Sequence, residues 1–347
     1  MSKKIIVTIL ILLVFLIMVS DFRINSYRVF ESFFRQMETE SMRNMYNGVP
    51  RFVGETAEKE VGPFLLELNK DIEELIMDNP MGSINIYGEK RDDILLSYKI
   101  TVYASTERAA NEFIERLEVL AEESRNRLVI ELAGFENSND VNGWQVAYTL
   151  YVPEDLNLNL TNRYGVLCVS DIISDINLRN SYGSFEVDNI RGNSRLNASY
   201  GNLNAINISG DTEINSSYNN TEIRNIDGNL DLRSRYSRVT VDEVMGRIEA
   251  NLSYGSFDLN DHIEELEIRA RYTPINVQLD RRLTDYQLDI STRYGGINTN
   301  LDFAVEEDGQ RQSLAAVAGN GNTRIDINGN YSNIKIEQYI VKNIKFE

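Results

Sequence analysis

Cysteine and histidine, the side chains most used for redox chemistry and transition-metal binding, are nearly missing from this chain of 347 residues. There is one of each, Cys168 and His262. A lone cysteine excludes an internal disulfide framework. His262 stands where the spacing of its neighbours calls for an apolar corner, with Ile263 beside it, and reads as a slipped corner residue rather than a catalytic base. Basic charge is also scarce: 35 Lys and Arg stand against 53 Asp and Glu, a net charge of −18. That balance argues against nucleic acid, whose binders gather Lys and Arg on one face. No concentrated constellation of acids appears either. Glu186, Glu222, Asp242 and Asp258 are scattered among Ser, Asn and Thr, whereas enzymes that cleave polysaccharides need paired carboxylates, or carboxylates holding calcium beside a base. The glycine- and aspartate-rich calcium nonapeptide of other repeat proteins is absent. The sequence therefore assigns no catalytic, cofactor-binding or metal residue, and the chain is read as non-enzymatic.

What the sequence does contain is a period. Tyr164, Tyr182, Tyr200, Tyr218, Tyr236, Tyr254 and Tyr272 follow one another at eighteen residues, and Tyr294 and Tyr331 continue the series after two insertions. A period this short means one structural unit stacked on copies of itself. Apolar pairs spaced by two precede each tyrosine (Ile176 and Leu178, Leu266 and Ile268) and follow it (Phe185 and Val187, Phe257 and Leu259). That is strand alternation with one apolar face. A third apolar site lies eight residues after the tyrosine (Ile172, Ile190, Ile208, Ile226, Val244), followed by turn glycines such as Gly192, Gly210, Gly228 and Gly246. The expectation is an all-β chain: a single-chain β-solenoid, or β-helix, of about ten coils. Its hand is taken as right-handed by analogy with most single-chain β-helices. Residues 75–88 match the template without the tyrosine and read as an edge coil.

The two ends bound the rest. Lys3-Lys4 followed by the apolar run Ile5 to Val19 predicts a transmembrane signal anchor over 1–20, with the remainder exported; a cleaved signal peptide is the alternative. Residues 21–58 read as a helical stalk or linker, and 59–153 as the edge coil with a small α/β capping segment. Within that segment a capped helix is expected over 107–126, with Ala109, Phe113, Leu117 and Leu120 on one face. The solenoid proper is placed at 154–340, with an insertion at 301–321 projecting as a loop or lid. Cys168 falls on an outward strand position that the preceding segment is expected to cover.

Pro153-Glu154-Asp155-Leu156, leading into repeats of the form Asn-Ser-Tyr-Gly-Ser-Phe-Glu-Val, resembles the DUF4097 family of bacterial adhesin-like proteins. The resemblance spans roughly residues 70–340. It implies a β-helix domain held at the bacterial envelope, often behind a single membrane anchor, with no catalytic residues to carry over.

Two features bear on binding. The tyrosines form a repeat ladder (Tyr164, Tyr182, Tyr200, Tyr218, Tyr254, Tyr294, Tyr331, with Tyr236 and Tyr272), either structural stacking or an exposed stripe on which sugar rings could lie. Arginines flank it at outward positions one and three residues before the tyrosine, and Arg163, Arg233, Arg235, Arg269, Arg271 and Arg293, with Tyr236 and Tyr272, make up a candidate binding strip. The competing account of the arginines is pairing across coils with Glu213, Asp231, Glu249 and Glu267. The partners expected are the membrane through the anchor and a cell-wall polymer, glycan or envelope protein along the strip. An interaction or sensor protein acting on a membrane partner through residues 22–46 is the alternative, and a carbohydrate-active β-helix enzyme the less favoured one.

Overall fold

Apolar residues two apart make strands here, and in the computed structural model those strands join into one mixed, 24-stranded sheet accompanied by a single helix among the described residues. The fold is all-β. The structure describes residues 52–135, 139–260, 264–280 and 282–339. The expected anchor at 1–20, residues 21–51 of the expected stalk, and His262 lie outside the described residues. No helix among the described residues is long and apolar enough to cross a membrane.

The chain opens with β1 (Glu55–Glu67), β2 (Glu74–Asn79), β3 (Gly82–Glu89), β4 (Asp93–Ala104), α1 (Glu107–Ile114), β5 (Glu118–Ser124), β6 (Arg127–Ala133) and β7 (Val141–Pro153). The tyrosine repeats follow as β8 (Asn157–Tyr164), β9 (Leu167–Ile172), β10 (Ile176–Arg191), β11 (Ser194–Ser209), β12 (Thr212–Asp227), β13 (Leu230–Arg235), β14 (Arg238–Val244), β15 (Arg247–Ser253), β16 (Ser256–Asn260), β17 (Glu265–Arg271) and β18 (Ile275–Asp280). The last elements are β19 (Tyr286–Arg293), β20 (Ile297–Thr299), β21 (Glu306–Asp308), β22 (Arg311–Ala318), β23 (Thr323–Asn330) and β24 (Ile334–Tyr339).

From β8 to β18 successive repeats pair in parallel at an offset of one period. Leu178 lies beside Leu196, Phe185 beside Leu203 and Ile190 beside Ile208, and the same offset joins Leu232 to Ala250 and Leu259 to Val277. Like thus sits on like. The two apolar pairs and the corner isoleucines point inward and are buried along the whole array. Turn residues bind the repeats laterally: the Oδ1 atoms of Asn157, Asp175, Asn193, Asp211 and Asn229 each accept the backbone N–H of a residue one repeat further on. The recurring turn Asn and Asp residues are therefore committed to this ladder.

Four expectations need correction. β1 begins at Glu55, so the stalk cannot run to 58. The helix expected over 107–126 stops at Ile114, although its start is as read: the Thr106 hydroxyl accepts the Ala109 N–H, and Ala110, Phe113 and Ile114 are buried. Residues 118–124 instead pair antiparallel with β6 as β5, covering a backbone edge that would otherwise stay open, so tertiary pairing overrides helical preference. The third correction concerns order. β23 lies between β17 and β19, parallel to both, and β24 lies between β18 and β20. Tyr331 therefore precedes Tyr294 in space. The interval from Tyr272 to Tyr294 exceeds the period by four residues, enough chain to step over one strand position of about 4.8 Å. The insertion at 301–321 is not a projecting lid: its β22 lies antiparallel on β19, and the short β21 pairs antiparallel on β22 beyond it.

The other end is built the same way. β2 and β3, the edge coil read at 75–88, lie between β8–β9 on one side and β6–β7 on the other. Antiparallel β5, and β4 with β1, then close that end. Because β23 and β24 are internal, removing residues 323–347 is expected to do more than shorten the array. It should leave β17–β18 and β19–β20 without the strands that join them. Hydrogen exchange is expected to show protection lost from residue 265 onward, while the amides of β8 to β12 stay protected.

Candidate functional site

The tyrosines occupy the corner between the two arms of each repeat. From Tyr200 on they hold that corner in a left-handed backbone conformation, with φ between 52° and 59° at Tyr200, Tyr218, Tyr236, Tyr254, Tyr272, Tyr294 and Tyr331. In the first two repeats the positive φ falls on the next residue, Gly165 or Gly183. Shifting the bend onto tyrosine frees the following position from glycine. Asn219, Ser237, Thr273 and Ser332 take it, buried, and their side chains serve the corner: the Gly201 N–H donates to Asn219 Oδ1, the Asn219 N–H to Ser237 Oγ, and the Thr273 N–H to Ser332 Oγ. A left-handed non-glycine residue costs roughly 1–2 kcal/mol, so seven of them need a compensating interaction.

Ring stacking supplies it. Nine rings form one column in the order 164, 182, 200, 218, 236, 254, 272, 331, 294, with centroids 4.6–5.1 Å apart and planes within 16° of parallel. The column is also half exposed: Tyr200 retains 46 % of its accessible surface and Tyr294 40 %. Structural stacking and surface display therefore coexist. Within the column each ring face is taken by the next ring, leaving edges and hydroxyls to solvent. A sugar ring has no free aromatic face to lie on there, which removes the geometry of the sugar-stacking stripe. Burial, reinforced by the adjoining phenols, pushes the pKa of Tyr182 and Tyr218 up, so these hydroxyls stay protonated donors at neutral pH.

Beneath the first corners lies a buried amide ladder. Asn79 donates to Asn162 Oδ1 at 3.0 Å, and Asn162 donates to Asn180 Oδ1 at 3.2 Å. Their remaining donor capacity goes to backbone carbonyls, including Val146 and Ser184. In later repeats Ala198, Ser216, Ser234 and Ala270 take the same inward position.

The arginines divide by column. Of those three residues before the tyrosine, Arg233 pairs with Glu213 at 3.0 Å and Asp231 at 3.1 Å, and Arg269 with Glu267, while Arg179 is exposed and makes no ion pair among the described residues. Arg163, one residue before its tyrosine, pairs with Asp78 at 2.8 Å. Glu249 is matched by Arg247. Arg235, Arg271 and Arg293, each immediately before its tyrosine, are exposed and make no ion pair among the described residues. They lean on the ladder instead. The guanidinium of Arg271 lies 5.3 Å from the Tyr272 ring centroid and that of Arg293 5.0 Å from Tyr294, while Arg235 acts on the Tyr218 phenol, offsetting part of its upward pKa shift. In spatial order this column reads Arg235, Ser253, Arg271, Asn330, Arg293, with Arg311 of β22 next. Arg311 lies outside the repeat and was not singled out by the period. The short apolar run of residues 314–318 was the available signal that it begins a strand.

Cys168 faces outward between Asn85 and Glu186, half-buried, as the reading of a covered strand position required. Burial, and then the neighbouring Glu186 carboxylate, push its thiol up to about 12.

No family model matches the chain, and no curated protein matches it. Among solved structures it is similar to a candidate cell adhesion protein from Clostridium sporogenes, at 14 % identity over 82 % of this chain and 99 % of that one, with a TM-score of 0.19. A candidate adhesin from Bacteroides fragilis gives 9 %, 81 %, 97 % and 0.34 for the same measures. A candidate lipid-binding protein from Parabacteroides distasonis gives 11 %, 82 %, 98 % and 0.37.

Two outcomes follow from this geometry. Tyr236→Ala, which removes two ring stacks, is expected to cost roughly 1–3 kcal/mol, and Tyr236→Gly about 1 kcal/mol less because glycine accepts the left-handed corner; urea denaturation of both variants measures the difference. Native Cys168 is expected to react with iodoacetamide at pH 8 more slowly than a free thiol by on the order of 10²–10³-fold. Its folded pKa lies above the unfolded one, so the stability held by the neutral thiol is complete below the ordinary thiol pKa. It is lost as pH rises from there toward 12, a loss to which the raised Tyr182 and Tyr218 phenols add, so Cys168→Ser should reduce it without abolishing it in urea midpoints recorded across that range.

Proposed function

We propose that this chain is a non-enzymatic, adhesin-like β-solenoid of the DUF4097 type, anchored by its N-terminal segment at a bacterial envelope and exported, whose tyrosine edge binds an anionic polymer of the cell surface. The eighteen-residue parallel register from β8 to β18 supports the solenoid reading, since each repeat advances the chain by one strand position. One observation carries the binding reading: on a protein of net charge −18, Arg235, Arg271 and Arg293 stand exposed in one line without an acidic partner among the described residues. Acids were available, as the neighbouring column shows by pairing Arg233 and Arg269. Alternate members of the line are two strand positions, about 9.6 Å, apart. Guanidinium groups so spaced, beside a row of protonated phenols, suit the repeated phosphate or carboxylate groups of an extended polymer.

The insertion is paired into the sheet as β21 and β22, which counts against a catalytic lid.

Charge reversal tests the reading. Full-length protein in detergent is expected to be retained on isolated cell-wall polymer in a saturable, salt-sensitive manner. Arg235→Glu combined with Arg271→Glu should reduce retention at least tenfold, the equivalent of about 1.4 kcal/mol, without lowering Tm. Arg233→Glu, which alters the paired column, should not reduce it to that extent. Equal retention of the Arg235/Arg271 variant and the native chain would refute the proposed edge.

A further inference from the structure

We infer a second, discrete site: Arg293 and Arg311 form a clamp for a single phosphoryl group at the outer end of the tyrosine column. The two residues are direct register partners across the antiparallel β19–β22 pair. Direct partners project from the same face of a sheet with Cβ atoms about 4.5–5.5 Å apart, and like charges so placed destabilise the pair. Both arginines are exposed, and neither has an ion pair among the described residues. Asp308 stands opposite Arg311 on its other side and can balance one guanidinium; an anion bound between the two arginines balances the second.

The surroundings fit such an anion. The two arginines line a depression together with Ser291, Gln310 and Asn328, which supply neutral hydroxyl and amide groups, and the backbone of Gly329. Arg293 is steadied from one side by the Tyr294 ring, the last of the column. Two guanidinium forks with a hydroxyl and side-chain amides offer more donors than the two oxygens of a carboxylate can accept. A tetrahedral phosphoryl group presents three or more. Asp308, which faces Arg311 across the β21–β22 hairpin, lines the same depression and is its only acid. It offsets part of the positive charge and so weakens the attraction for an anion without cancelling it.

The site shares Arg293 with the polymer edge, but Arg311 and the depression belong to the insertion, and the clamp stands whether or not the edge binds a polymer. Full-length protein in detergent is melted with inorganic phosphate, glycerol 3-phosphate, acetate or chloride at matched ionic strength, and phosphate binding is read directly from the ³¹P line width. Phosphate well above its dissociation constant is expected to raise Tm by roughly 2 °C or more, with acetate and chloride ineffective. Arg311→Gln and Arg293→Gln should lose both the Tm shift and the line broadening. Arg235→Gln should keep the phosphate response, and Asp308→Asn should strengthen it. Equal responses to phosphate and glycerol 3-phosphate identify a free dianion as sufficient, and a preference for the ester identifies an esterified end group; either supports the clamp. Acetate matching phosphate, no response to phosphate, or an unchanged response in Arg311→Gln would overturn it. Loss of polymer retention in the Arg235/Arg271 variant with the phosphate response intact separates the two sites.

Discussion

Parallel backbone pairing at a fixed offset governs this structure. Once residue i lies beside residue i+18, every side chain meets its own counterpart about 4.8 Å away, and each position must be a residue that tolerates a copy of itself as neighbour. Apolar residues inside do so by packing, Asn79, Asn162 and Asn180 by passing an amide hydrogen bond along the line, and tyrosines by offset stacking. Charged residues tolerate it badly. A column of one sign is neutralised from beside it, as where the stacked acids Glu213, Asp231, Glu249, Glu267 and Asp326 are met by Arg233, Arg247, Arg269 and Arg324 of adjoining columns, or diluted by Ser and Asn, as where Ser253 and Asn330 separate arginines.

That constraint explains what could be read from the sequence. The tyrosine period, the two apolar pairs per repeat and the edge coil at 75–88 are local patterns, and local patterns survive in a linear string. Spatial order does not. Nothing in the alternation of Ile325, Ile327, Ile334 and Ile336 says that their strands lie inside those of Leu288 and Ile290 rather than beyond them; the choice is made by which open edge β22 can cover. The end of α1 was hidden for a similar reason, because Val119 and Leu120 suit a helix face as well as a strand and only the open edge of β6 decides between them.

The candidate site was half legible. Arginines before the tyrosines were visible as a strip, but which were neutralised depends on acids one repeat away, such as Glu213 beside Arg195 and Arg233. The same holds for the corner backbone: glycine after tyrosine suggested where the bend lies, yet the left-handed residue is the tyrosine itself in seven repeats. Stacking and backbone strain are thus joined at one residue. The ring column is an energetic requirement of the turn as well as a surface feature.

The strands inserted near each end alter how the molecule bears load. An array of stacked repeats ordinarily frays from its last unit, because that unit has one neighbour. Here β2–β3 and β23–β24 each have neighbours on both sides that are remote in sequence, and the outermost strands are antiparallel additions. Tension entering at β1 meets an antiparallel ladder with β4 running from Glu55 to Glu67, and then β7 behind it, before it reaches any tyrosine repeat. Force along the chain must therefore shear many hydrogen bonds together instead of opening them one by one. The described strands behave as a latched array rather than a zipper.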